Sequence, residues 1–260
     1  MPRQTRRHRL TIMLRDQGPA VGISLPPKDG GTLLYQWRFD SQAKIDEHYK
    51  SSGNAPTPRV YLDHDAGPIL RWPINDQDAF GRFKSDQIIV PTTGVVDTDF
   101  LIRIPQTWLD LGKLPSTPAT PGGDYMTWYG QKVFRMFPEG GHNATLFAHM
   151  RRKAVYVRDY GGNDNIPAEG YLPIQADQWV SYRIRYDYPN ETVGLWYSVS
   201  GGPWVHVWTQ RGGKNAAGEV DVTRYVGPMF HATARGETPP YGEHPPTHID
   251  FHSYRVLVKP

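Results

Sequence analysis

Hydrophobic and polar residues alternate with a period of two between Trp179 and Trp208. This predicts three antiparallel β-strands in succession, Trp179–Tyr186, Val193–Val199 and Trp204–Trp208. Pro189-Asn190 and Ser200-Gly201-Gly202-Pro203 separate them and supply turn chemistry, because proline fixes φ while glycine and asparagine tolerate positive φ. One face of the first strand carries Val180, Tyr182, Ile184 and Tyr186, and the other carries Trp179, Ser181, Arg183 and Arg185. In the second strand Val193, Leu195, Tyr197 and Val199 oppose Gly194, Trp196 and Ser198. In the third, Val205 and Val207 oppose Trp204, His206 and Trp208. The expected sheet has an aliphatic side suited to a core. Its other side, of Arg, Trp and His, suits a solvated groove that holds something polar and flat.

The same patterning predicts strands over Leu33–Phe39, Val60–Asp63, Ile69–Trp72, Phe80–Phe83, Gln87–Pro91 and Asp99–Pro105, then Gln131–Phe137, Thr145–Arg152, Ala154–Asp159 and finally His248–Val258. One short helix is expected from Ser41 to Tyr49, with Ser41 as its N-cap. Short strands spaced by about ten residues and punctuated by Gly and Pro point to a sandwich or barrel. Nothing in the pattern suggests βαβ units or an internal repeat. Residues 112–124 and 161–165 read as polar loops, the first by its length either a functional rim loop or a mobile one.

Composition agrees. The 260 residues suffice for one large β-domain, and 26 glycines, 24 prolines and 12% aromatics fit strands and turns better than helices. The absence of cysteine excludes disulfides and thiol chemistry. No apolar run approaches the roughly 18 residues of a membrane span, so no membrane partner is expected. The net charge is +3, and much of the excess lies in Arg3, Arg6, Arg7 and Arg9. A basic N-terminal arm is therefore assigned to residues 1–30 and the sandwich to residues 31–260. The arm reads either as a solvated tail or as a docking segment for other subunits. Charge so localised gives no reason to expect a nucleic-acid partner, and no signal-peptide stretch follows the arm.

Gln178–Tyr186, Gly194-Leu195-Trp196-Tyr197, Gly202-Pro203-Trp204 and His248-Ile249-Asp250-Phe251 together resemble the concanavalin A-like lectin and glucanase jelly rolls, in particular their polysaccharide-lyase-like branch. The resemblance covers the second half of the chain; the first half fits by strand count and spacing. It implies an all-β jelly-roll sandwich of two antiparallel sheets, the concave one holding an extended glycan. It is not specific for activity, since lectins, lyases, hydrolases and virion adhesins share this sandwich. The Glu-x-Asp-x-x-Glu strand of the glucanase branch is missing, which argues against a retaining glycosidase. The Arg-rich, Gln-x-His and Tyr-x-x-Gly-x-Tyr-Asn-Gln strands of the alginate-lyase branch are not intact either.

The remaining residues are of suitable types. Arg135, Arg158, Arg183 and Arg185 could neutralise a uronate carboxylate, because the planar guanidinium matches it bidentately. His149 and Tyr156 are the candidates for proton transfer, so the candidate catalytic set is His149, Tyr156 and Arg135. The candidate glycan-binding set is Arg158, Arg183, Arg185, Trp196, Trp204, His206 and Trp208, its tryptophans as stacking platforms. The bland alternatives are a solvated sheet face and tryptophans that merely pack. His248, Asp250 and His252 share one strand face, which makes Asp250 the candidate metal ligand; the fold resemblance implies a structural Ca²⁺ there, and no cofactor is required. The leading expectation is a carbohydrate-recognising module on a virion or surface appendage, with polysaccharide as partner and residues 1–30 as the contact to other subunits. A polysaccharide lyase acting by β-elimination and a purely structural decoration or adaptor protein are the alternatives.

Overall fold

A computed structural model describes residues 23–52, 57–74, 78–83, 94–111, 130–137, 144–149, 153–159, 166–211, 225–227, 229–233 and 247–260. They form sixteen strands: β1 (Thr32–Arg38), β2 (Tyr49–Ser52), β3 (Arg59–Asp63), β4 (Gly67–Ile74), β5 (Asp78–Phe83), β6 (Val95–Arg103), β7 (Gly130–Phe137), β8 (Ala144–His149), β9 (Ala154–Asp159), β10 (Leu172–Pro173), β11 (Trp179–Asp187), β12 (Thr192–Val199), β13 (Val205–Arg211), β14 (Tyr225–Gly227), β15 (Met229–Thr233) and β16 (Thr247–Lys259). Two short helices, α1 (Gln42–His48) and α2 (Gln106–Leu111), accompany them. The expected strand at residues 87–91, the loops at 112–124 and 161–165, and residues 1–22 of the arm lie outside the described residues.

The architecture is the antiparallel jelly-roll sandwich. Its first sheet runs β13-β12-β11-β6-β16-β4-β3, with β1 also paired to β16; the second runs β10-β9-β8-β7-β15-β5-β2, with β14 also paired to β7. The three predicted strands β11, β12 and β13 are neighbours, as their turns require. What sits beside β11 on its other edge is β6, from far earlier in the chain, and β6 in turn pairs with β16.

Alternation then sorts the side chains. Val180, Tyr182 and Ile184 of β11 stand opposite Ile102, Phe100 and Thr98 of β6 and point into the space between the sheets. There they meet Tyr254 and Val256 of β16, Leu195 of β12, and Leu146, Ala148, Val155 and Val157 of the second sheet in one buried cluster. The aromatic residues Trp37, Phe39 and Tyr254 pack edge and face within it, with the Phe39 and Tyr254 rings 6.0 Å apart. The helices close the layer, burying Ile45 of α1 and Trp108 of α2 completely.

Ser41 caps α1 as the sequence predicts, accepting from the Lys44 amide. Gln42, the first residue of α1, also protects the sheet edge. Its side-chain oxygen accepts from the Val60 amide of β3 at 2.7 Å, so this edge strand leaves one fewer free donor for another chain. The second helix was not legible from periodicity, being six residues long. Asp177 accepts from the Gln106 amide at its first turn, across 71 residues of sequence. No described helix is long and apolar enough to cross a membrane.

Ile184 is fully buried at the centre of this core. Ile184→Ala is expected to cost about 3 kcal/mol, transfer and cavity terms together. A urea titration monitored by tryptophan fluorescence checks it, and a loss near zero would mean the two sheets do not pack through β11.

Candidate functional site

The outward face of the first sheet carries the residues that the sequence assigns to a solvated groove, and its arginines are paired with carboxylates of the same sheet, while His206 stays exposed. Arg183 has no exposed surface. Its Nε and Nη2 donate to the two oxygens of Asp99 at 2.6 and 2.9 Å. Arg185 grips Asp97 in the same bidentate way, at 2.6 and 2.8 Å. Arg255 of β16 donates to Asp99 from the other side at 2.9 Å, and Lys259 lies 3.2 Å from Asp97. The register explains this, since Asp99 and Asp97 of β6 stand directly opposite Arg183 and Arg185 of β11. Burial raises the Asp99 carboxyl, and two guanidinium groups supply the opposing positive charge. Burial by itself would lower Arg183, but its bonds to Asp99 and Asp29 outweigh it and hold the guanidinium firmly protonated.

The tryptophans complete this layer. Arg183 stacks on Trp204, 4.2 Å from the ring centroid, and Arg185 on Trp196 at 4.8 Å. The Trp196 ring also meets His206 at 4.8 Å and lies so close over Gly194 that a β-carbon there would overlap it. Trp208 does not join them. A bulge between Leu195 and Trp196 shifts the register and sets Trp208 opposite the buried Leu195, with its ring over Gly170. The residues 23–29 cross the same face. Arg255 Nη2 donates to the Pro26 carbonyl at 2.5 Å, and Ile23 and Leu25 pack on Ala66, Ile69, Leu101 and Trp179.

A second ionic node lies further along β16. Asp250 accepts from Arg71 at 2.9 Å and from Arg103 at 2.7 Å, with His248 3.6 Å away. Arg103 also reaches Asp63 at 2.6 Å and stacks on Trp179. Burial opposes ionisation of Asp250, but His248, Arg71 and Arg103 together hold its carboxyl well below the usual range. A cation at Asp250 would have to displace two guanidinium groups, and no cluster of three His, Asp or Glu side chains able to hold a metal occurs among the described residues. Nearby, His252 sits in the bulge between Phe251 and Ser253, buried against Trp179. Burial, reinforced by the Arg38 charge, pushes its imidazole down to about 4, against weaker pulls from the Ala66 backbone, Asp40 and Asp63.

The second sheet is built differently. Leu146 and Ala148 of β8 and Val155 and Val157 of β9 face the core, so the alternate positions lie on the outer face. Directly paired residues of antiparallel strands share a face. The pairing therefore links Ser52, Phe80, His231, Lys132, Phe147 and Tyr156 in one row across β2, β5, β15, β7, β8 and β9. That row spans about 24 Å at the usual inter-strand spacing. A neighbouring row sets Arg135, Thr145 and Arg158 side by side, and His149 stands between Gly130 and Ala154. Lys50 and Arg82 pair on the same face. Among the described residues Lys50, Arg82, Lys132, Arg135 and Arg158 share this face with Asp78 as the acidic position.

The fold thus divides the residues singled out in the sequence. It brings Arg135, His149, Tyr156 and Arg158 onto adjacent strands of one face. It places Arg183, Arg185, Trp196, Trp204 and His206 on the opposite side of the molecule, and turns Trp208 toward the inner side. Tyr156 is half-buried, its ring 5.0 Å from that of Tyr171. Lys50, Phe80, Arg82, Lys132 and His231 were missed. Lys50 and His231 lie on strands the pattern did not show, and Lys132 joins the face of Arg135 only through the bulge between Lys132 and Phe134, so the cross-strand register alone brings them to the others.

Two outcomes follow from this geometry. Arg183→Met leaves Asp99 in the interior with a single guanidinium, and is expected to cost about 3–5 kcal/mol. In the double variant Arg183→Met, Asp99→Leu, where Arg255 becomes the group left without its carboxylate, the loss is expected to be smaller than the sum of the two single losses; a chemical denaturation series on all three variants measures it, and additive losses would contradict a buried pair. For His252 the folded value of about 4 lies below the ordinary 6.5. The unfolded chain therefore binds the extra proton between those values, and stability must fall as pH drops from 6.5 toward 4, by on the order of 2–3 kcal/mol. In His252→Gln that slope should flatten; an unchanged slope would assign it to other groups.

No family model matches the chain, and no curated protein sequence matches it. Solved structures do. A glycoside hydrolase family 131 β-glucanase catalytic domain from Podospora anserina superimposes with a TM-score of 0.52 at 15% identity, covering 88% of this chain and 97% of its own. The corresponding catalytic domain from Coprinopsis cinerea gives 0.51 at 16% identity, with 88% and 96% covered. The protein SO2946 from Shewanella oneidensis MR-1 gives 0.51 at 7% identity, with 86% and 84% covered. At such identities the likeness is one of fold, and that fold is the concanavalin A-like jelly roll.

Proposed function

We propose that this chain is a carbohydrate-binding jelly-roll module that holds an acidic polysaccharide across the outer face of its second sheet. The observation that carries this reading is the charge on that face. On the first sheet every guanidinium of the ionic layer meets a carboxylate. On the second, Lys50, Arg82, Lys132, Arg135 and Arg158 share the described face with Asp78. Cationic positions set among Phe80, Phe147 and Tyr156 suit a polymer of flat rings bearing carboxylates, since guanidinium binds carboxylate bidentately and aromatic rings stack on sugars. The likeness to glucanase catalytic domains supports the carbohydrate-active class without selecting a substrate. In this reading residues 1–30, with their basic N-terminal end, contact the other subunits of a virion or surface appendage.

A lyase is the second reading, favoured by the placement of Tyr156 beside Arg158 on β9 and of His149 on the adjoining strand. In β-elimination Arg135 and Arg158 would neutralise the uronate carboxylate. Tyr156 or His149 would take the α-proton, and the other would protonate the departing glycosidic oxygen as the carbon–carbon double bond forms.

Affinity electrophoresis through gels containing a polyuronate or a neutral glucan tests the proposal. Retardation is expected in the polyuronate gel alone and should weaken as salt rises. Lys132→Ala with Arg158→Ala should weaken it roughly tenfold, while Arg211→Ala, on the edge of the first sheet, should leave it unchanged. Equal mobility in all gels at low salt would overturn the binding reading. A growing ultraviolet absorbance from unsaturated uronate would make the chain a lyase.

A further inference from the structure

The ionic layer of the first sheet contains one carboxylate that does not belong to the sheet. Asp29 comes from the segment preceding β1, and its Oδ2 lies 2.6 Å from Arg183 Nη1, 3.0 Å from Lys259 Nζ and 3.7 Å from Arg185 Nη2. Three cations from β11 and β16 thus converge on one oxygen supplied by a strap. Without Asp29 the cluster would hold Arg183, Arg185, Arg255 and Lys259 against only Asp97 and Asp99. Its cations are fixed in place beforehand. Arg183 and Arg185 are held by the sheet carboxylates on one side and by Trp204 and Trp196 on the other. A rigid, charge-unbalanced cradle of this kind binds a carboxylate whether or not it is tethered, because its donors lose little freedom on binding.

The tether is slight. Asp29 keeps 39% of its side chain exposed, in contrast to the fully buried Asp97 and Asp99. Immediately after it, Gly30 adopts a φ of +88° with open space where a side chain would stand. The strap is otherwise held by the Arg255 bond to the Pro26 carbonyl and by Ile23 and Leu25 on their apolar patch.

We propose that Arg183, Arg185 and Lys259 form a carboxylate-binding site that the chain fills with its own Asp29, the last residue of a removable strap. The ligand class is a small carboxylate able to take the place of the Asp29 side chain between Arg183, Arg185 and Lys259. This inference does not depend on the glycan-binding reading of the second sheet, and either can fail alone.

Chemical rescue in the full chain tests it. Asp29→Ala is expected to lower Tm by about 3 °C in chloride, the size of a lost, partly exposed ion pair. Acetate at about 0.1 M and matched ionic strength should restore most of that loss, since it fills the vacated cradle. The wild-type Tm should be the same in acetate and chloride. Asp29→Asn, which keeps the shape of the side chain, should show the same deficit without full rescue, because its amide still occupies the site. Cleavage within residues 23–29 by a nonspecific protease should be faster in Asp29→Ala and slowed by acetate only to the extent that the strap redocks. A Tm of Asp29→Ala that is equal in the two salts, or a wild-type gain as large as that of the variant, would overturn the proposal.

Discussion

Two aspartates with no exposed surface, Asp97 and Asp99, decide how the outer face of the first sheet is used. An ionised carboxylate removed from water is costly unless it is fully paired. On β6 these two are paired in register, by Arg183 and Arg185 of β11 and by Arg255 of β16. The interaction joins three strands that are far apart in sequence. It also fixes their register, because a slip by one residue would put each charge against an apolar neighbour on the core side. Trp196, Trp204 and residues 23–29 then cover what the ion pairs leave open.

The consequence is an asymmetry between the two faces of the sandwich. The first sheet spends its arginines on its own carboxylates and is closed by its own chain. The second sheet presents basic and aromatic positions in continuous cross-strand rows with one acidic position among those described. A face that binds a polyanion must keep its cations uncompensated, and a face that stabilises a sheet must compensate them. In the proposed reading, the same residue type, Arg at alternate strand positions, has opposite meanings in β11 and β9.

The sequence carried much of this. The alternation in Trp179–Trp208 gave the right strands and, in β11 and β12, the right inward faces, Gly and Pro marked the turns, and Ser41 marked the longer of the two described α-helices. The sorting of arginines failed for a physical reason, since alternation says which residues share a face but not what stands opposite. A strand read as starting at Asp99 in fact begins at Val95, and with it Asp97-Thr98-Asp99 becomes the complement of Arg183-Ile184-Arg185. That matching of Asp-x-Asp to Arg-x-Arg was available before the structure. The displacement of Trp208 was not, because a bulge of one residue in β13 against β12 leaves no mark in the hydrophobic pattern. The rows on the second sheet needed pairings among β5, β7 and β15, strands whose order in the chain does not reveal their neighbours.

Arginine-selective footprinting with phenylglyoxal, read residue by residue by mass spectrometry with and without a polyuronate, tests this division most directly. Arg183 and Arg255 should resist modification in the folded chain. Arg82, Arg135 and Arg158 should react, and the polyuronate should protect them. Rapid modification of Arg183, or protection by the polymer confined to the first sheet, would contradict the account.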